Sequence, residues 1–253
     1  MFKKAIVRPP GKSLVRGLTS ADLGLPDYHQ ALEQHTRYIQ VLQECGLEVR
    51  VLAPDEAFPD STFVEDVAVL TPRCAVITRP GAESRRGEVE GIRPILPEYF
   101  SVIEEITAPG TLEGGDVLRV GDHYYIGLSV RTNREGAEQL IRILDQYGLS
   151  GSMVLVREML HLKSGVAWLE HNNLVACGEF LRHPEFKKFN LIEIPLREAY
   201  AANCVWINGR VLLAKGYPAA RKRIMDAGYE VIELEMSEFR KLDGGLSCLS
   251  LRF

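Results

Sequence analysis

Four features are missing from these 253 residues, and each absence excludes a class of protein. No apolar run approaches the roughly 20 residues that a membrane span requires. The opening, MFKKAIVRPPGKSL, lacks the apolar core of a signal peptide. No CxxC pair occurs among the five cysteines, Cys45, Cys74, Cys177, Cys204 and Cys248, so a zinc ribbon or a thioredoxin-type redox site is not expected. A basic excess is missing as well: the formal net charge is -4, whereas a nucleic-acid binder needs a positive surface. An odd, scattered set of cysteines suits a reduced, cytoplasmic protein. The Gly/Pro-rich stretches TRPGAESRRG and TAPGTLEGGD are short, and they read as functional loops rather than linkers. One domain over residues 1–253 is therefore expected.

What is present repeats. The segments DVAVLTPRCAVITRPG from Asp66, DVLRVGDHYYIGLS from Asp116, GVAWLEHNNLVACG from Gly165 and NCVWINGRVLLAKG from Asn203 each read as an apolar strand, a tight turn and a second apolar strand. Their turns fall at Pro72-Arg73, Gly121-Asp122, His171-Asn172 and Asn208-Gly209, and Gly-Asp and Asn-Gly between apolar runs are strong hairpin signals. A helix and another strand often follow. In TNREGAEQLIRILDQYG, Thr132 and Glu135 have capping-box spacing, Ala137, Leu140, Ile141 and Leu144 form one apolar stripe, and Gly148 marks the stop. YPAARKRIMDAGYEVIEL and YHQALEQHTRYIQVLQECG with LEVRVL repeat the pattern.

A fifth unit opens at Gly245 as the strand LSCLSLRF, with no hairpin partner after it. The opening strand KKAIVRPP completes it. Repeats of this length suggest a propeller or solenoid, and joining last strand to first would close a ring and remove an open edge. In such a ring FPDSTFVED, GTLEGGD, MLHLKSG and LDGGLSC converge, bringing Asp60, Glu65, Asp66, Glu113, Asp116, His161 and Cys248 to one face.

A thiolate is a strong nucleophile near neutral pH, an imidazole moves protons there, and a carboxylate orients and charges the imidazole. Further carboxylates would repel a thiolate, so they need another purpose. A guanidinium, planar and always charged, supplies one because it pairs with carboxylates directionally. Each signal also has an inert reading. Cys248 alone fits a buried structural cysteine, and His161 a satisfied structural histidine. EGGD fits a turn, the acids a solvated edge, and Arg85 and Arg86 ordinary surface charge. His161 and His171 have no supporting ligand spacing for a metal. The residues alone leave an enzyme and an inert fold both standing.

Together FVEDVAV, TRPGAESRRGE, APGTLEGGDVL, GLSVRTN, LHLKSG, LEHNNL, YAANCVWIN and LDGGLSCLSLRF resemble the bacterial dimethylarginine dimethylaminohydrolases, from Met1 to Phe253. The resemblance implies an α/β fold, the five-bladed α/β propeller of the guanidino-group-modifying enzymes, and hydrolysis of Nω-methylated arginines to citrulline and an alkylamine without cofactor or metal. By motif position it implies Cys248 as nucleophile, His161 as general acid/base and Glu113 as the carboxylate beside it. Asp66 would be the second guanidinium partner, with Glu65 next to it, and Asp60 an acid at the α-amino end. Arg85 and Arg131 would hold the α-carboxylate, Leu18 would sit on a covering loop, and Leu242 in the pocket wall. The expected partner is a small-molecule substrate, with no nucleic acid and no membrane; a homodimer is compatible, but no stripe specifies its surface. Two alternatives stay open: another guanidine hydrolase, such as an arginine deiminase or an Nω-hydroxyarginine amidinohydrolase, and a non-catalytic propeller like the ribosome anti-association factor.

Overall fold

A computed structural model describes residues 1–253. The chain forms five three-stranded sheets, all of one topology, in which a central strand is antiparallel to one neighbour and parallel to the other. It divides into two compact units, one of residues 1–64 and 164–252, the other of residues 65–163 with Phe253. No helix is long and apolar enough to cross a membrane.

The unit of residues 65–163 holds two sheets. Ala68–Leu70 turns back on Ala75–Ile77, which runs parallel to Ile103–Glu105. Val117–Val120 turns back on His123–Leu128, which runs parallel to Ser150–Leu155. A parallel pair needs a crossover, and the helix Arg134–Gln146 makes the second one. Ala137, Leu140, Ile143 and Leu144 are buried on its inner face against Val76, Leu112, Tyr124 and Ile126. Its cap differs from the capping box expected at Thr132. Asn133 is the N-cap and accepts from the Gly136 N–H at 2.8 Å. The Thr132 hydroxyl is used elsewhere, accepting from the Glu113 N–H at 3.1 Å. The first crossover has no α-helix and is made by 3-10 turns at Glu83–Gly91 and Leu96–Glu98.

The other unit holds three sheets. Val166–Glu170, Asn173–Ala176 and Asn190–Glu193 form one, and Val205–Ile207, Arg210–Ala214 and Glu230–Leu234 the next. Their turns need positive φ, which His171, Asn172, Asn208 and Gly209 supply. In the third, Lys4–Val7 lies between Glu48–Val51, parallel to it, and Leu251–Arg252, antiparallel to it with Ile6 opposite Leu251. The expected pairing of first and last strands is present. The last strand is shorter than LSCLSLRF, however: Ser247–Leu249 is a 3-10 turn, and only Leu251–Arg252 is extended in the ladder. The helix Tyr28–Glu44, capped by Asp27, buries Ala31, His35, Tyr38, Val41 and Leu42 in a core with Leu14, Phe239, Leu246 and Leu249. Burying a large apolar side chain such as Leu246 or Leu249 contributes about 1.5–3 kcal/mol, so the turn bearing Cys248 is anchored in this core on both sides.

Candidate active site

In the unit of residues 65–163 the motif EGGD is built around clearance. A Cβ on Gly114 would lie 2.0 Å from the Glu65 carbonyl oxygen, and one on Gly115 would lie 3.0 Å from both Asp66 Oδ1 and the His161 ring. Only glycines let this backbone run so close to both residues. The Gly115 N–H donates to Asp66 Oδ1 at 2.8 Å. Asp66 Oδ2 accepts from Arg85 Nη1 at 2.7 Å. Burial raises the Asp66 pKa, but the Arg85 and His161 charges and the Arg85 and Gly115 hydrogen bonds outweigh it and bring it down to about 2. Asp66 is therefore a permanent anion.

Glu113 is fully buried and divides its two oxygens. Oε1 accepts from the Gly81 and Ala82 N–H groups at 3.1 and 3.3 Å and faces Arg131 Nη1 at 3.6 Å. Oε2 accepts from His161 Nε2 at 2.7 Å. Burial lowers the His161 pKa, yet Asp116, the Glu113 hydrogen bond and Asp66 raise it to about 9. The resting ring is an imidazolium with a proton to give. Asp116 holds the turn behind it: Oδ1 accepts from the Leu162 N–H at 2.9 Å and Oδ2 from the Ser129 hydroxyl at 2.6 Å. That same hydroxyl accepts from the Arg131 N–H at 3.0 Å. Glu113, Asp116, Ser129, Arg131 and the turn of His161 are thus joined by direct contacts, and Asp66 acts on the ring through its charge.

Two expected contact residues have unexpected partners here. Arg85 is buried and donates to Glu88 through Nε and Nη2 as well as to Asp66, so it holds Asp66 ionised. The surface-charge reading of Arg85 does not survive; it does for Arg86, whose partner Glu83 is exposed. Glu65, also buried, pairs with Lys163 at 2.5 Å, two residues past His161. Asp66, Glu113 and His161 offer three donor atoms within 4.8 Å of one another. Those atoms already serve Arg85, Gly115 and each other, an arrangement for holding a cation and moving a proton.

In the other unit, Leu18, Asp60 and Leu242 come together. The Leu18 N–H donates to the Asp60 carboxylate at 3.0 and 3.2 Å, and Gly17 lies against both Asp60 and the buried Leu242. Leu18 itself is 40% exposed. Ser20 reaches Asp243 through its N–H and its hydroxyl at 2.6 and 2.9 Å, a tie that the sequence reading missed. Cys248 is partly exposed and reduced, not sealed in the core as the inert reading would have it. Its Sγ accepts from the Gly245 N–H at 3.4 Å.

The family model described as N,N dimethylarginine dimethylhydrolase, eukaryotic, matches residues 27–204. A protein of Pseudomonas aeruginosa named N(G),N(G)-dimethylarginine dimethylaminohydrolase is 59% identical over 254 residues, covering all of both chains. The chain belongs to the dimethylarginine dimethylaminohydrolase family. A solved structure of the Pseudomonas aeruginosa family member, a cysteine-to-serine variant complexed with citrulline, matches with a TM-score of 0.99 at 58% identity over both full chains. A dimethylarginine dimethylaminohydrolase with a histidine-to-glycine change, solved as an adduct with S-methyl-L-thiocitrulline, matches equally well, with a TM-score of 0.99 at 58% identity over both full chains. The α/β fold class that the resemblance implied, the five-bladed α/β propeller, is that of this family.

Proposed function

We propose that this chain hydrolyses Nω-methylated L-arginines, asymmetric dimethylarginine and monomethylarginine, to L-citrulline and dimethylamine or methylamine. The observation that carries the reading is the charged His161 ring held by Glu113 beside the permanent anion Asp66. It provides a proton donor and carboxylates suited to a flat cation. The family structures, one with citrulline and one with a thiocitrulline adduct, support it.

Asp66 and Glu113 grip the guanidinium nitrogens. Arg131, together with Arg85, takes the α-carboxylate, Arg85 doing so while paired to Asp66. Asp60 meets the α-amino end, with Leu18 as cover and Leu242 as wall. Glu65 steadies the turn after His161 through Lys163. Delocalisation makes the guanidinium carbon a poor electrophile, so orientation supplies much of the acceleration. The Cys248 thiolate adds to that carbon, and a C–S bond forms. His161 gives its proton to the dimethylamino nitrogen, the C–N bond breaks, and dimethylamine leaves an S-alkylthiouronium on the enzyme. The now neutral His161 takes a proton from water as its oxygen adds to the same carbon. Collapse breaks the C–S bond, the hydroxyl proton leaves, and citrulline departs. One ring serves as acid and then base because covalent catalysis divides the reaction in two. Five free cysteines are in keeping with work in the cytoplasm.

Incubation with asymmetric dimethylarginine tests the reading: citrulline and dimethylamine should form in equal amounts. Ammonia in place of dimethylamine would make the protein a deiminase. Cys248→Ser should bind substrate and not turn it over; turnover by that variant overturns the nucleophile assignment.

A further inference from the structure

The motif YAANC plays no part in the scheme above, yet its residues grip the turn that carries Cys248. The 3-10 segment Leu196–Ala202 ends at Asn203 and carries Tyr200 one turn earlier. Asn203 Oδ1 accepts from the Ser247 N–H at 2.9 Å, and its Nδ2 donates to the Ser247 hydroxyl at 3.2 Å. The Tyr200 hydroxyl donates to the Gly244 carbonyl at 2.7 Å. These contacts fall on either side of Gly245, whose N–H points at Cys248 Sγ. The Asn203 amide also fills the space beside that glycine: a Cβ on Gly245 would lie 2.4 Å from Asn203 Cγ. The grip is itself packed. Tyr200 lies 5.7 Å from Tyr217 with the two rings tilted by 37°, and the Arg240 guanidinium sits over both rings. Asn203 is 7% exposed, so its amide has been withdrawn from water to serve the turn.

We infer that Tyr200 and Asn203 are positioning residues for Cys248, holding the Gly244–Ser247 backbone so that the Gly245 N–H stays aimed at the sulfur. This inference rests on Cys248 being the nucleophile. A main-chain donor directed at sulfur favours thiolate over thiol. A donor on a two-glycine stretch keeps its aim only if its neighbours are fixed from outside, because glycine backbone is free to rotate. The two side chains supply that constraint from one element, and they act on sulfur geometry rather than on substrate contact.

The test uses the full chain with asymmetric dimethylarginine as substrate and iodoacetamide as a small neutral probe of the thiol. Asn203→Ala should slow alkylation of Cys248 about tenfold and lower kcat by a similar factor, with KM within about twofold, as loss of one or two buried hydrogen bonds predicts. Tyr200→Phe keeps the ring contact with Tyr217 and removes only the hydroxyl. It should lower both rates several-fold and serves as the deciding variant if Asn203→Ala does not fold. Wild-type alkylation and kcat in Tyr200→Phe, or a loss confined to KM in either variant, overturns the inference. Turnover by Cys248→Ser instead overturns the nucleophile assignment on which it stands, so the two failures are told apart.

Discussion

His161 is the residue whose charge decides most. Its pKa in the folded protein, about 9, lies above the ordinary 6.5. Two outcomes follow from the sign of that shift. As an acid it must be protonated in the free enzyme, so kcat/KM should fall above about pH 9; a basic limb near 6.5 would remove the carboxylates from its support. Its contribution to stability should be complete below pH 6.5 and lost as pH rises through about 9. The Tm difference between wild type and His161→Gln, followed from pH 6 to 10, should shrink across that window. The two arginines separate in the same way. Arg85→Ala leaves Asp66 and Glu88 buried without their cation and should cost about 3–5 kcal/mol of stability, read as a large drop in Tm. Arg131, with 19% of its side chain exposed, should tolerate alanine with little change in Tm and a raised KM.

At the scale of elements, the EGGD turn is the tightest piece of the site. Gly114→Ala places a methyl 2.0 Å from the Glu65 carbonyl. It should lower stability by at least the ~1–3 kcal/mol typical of overpacking and reduce kcat, since Asp66 and His161 pack on the next glycine; thermal melts and steady-state kinetics read both. The hairpins were legible in sequence because their signals are local: apolar alternation and a turn that demands positive φ at Asn208-Gly209. The cap of the helix Arg134–Gln146 was not. Thr132 and Asn133 both suit an N-cap, and the choice fell to Asn133 because Thr132 is taken by Glu113, a partner 19 positions away. The same limit hid Tyr200, Asn203 and the Glu65–Lys163 pair, whose partners are distant in sequence. The clearest trace of Asn203 in the chain was a glycine at 245 with no positive φ to require it.

For the whole molecule, the repeat register carried the reading furthest. It paired the first strand with the last, and Ala5 and Ile6 do lie opposite Arg252 and Leu251. Deleting residues 251–253 should strip the antiparallel partner from Lys4–Val7, leave an open edge and lower Tm together with solubility; unchanged melting would show that the ladder adds nothing. The register could not say how each crossover is made. Three of the five sheets are bridged by α-helices and two by 3-10 turns, because the spacing between anchors constrains length and not conformation.

The amide that fills the space beside Gly245 makes positions 203 and 245 a single coordinate for anyone diversifying this protein. A library that randomises the loop carrying Cys248 while leaving Asn203 in place samples almost nothing but glycine at 245. Variation that changes both together opens loop geometries that neither position reaches alone, because substitutions in contact do not add.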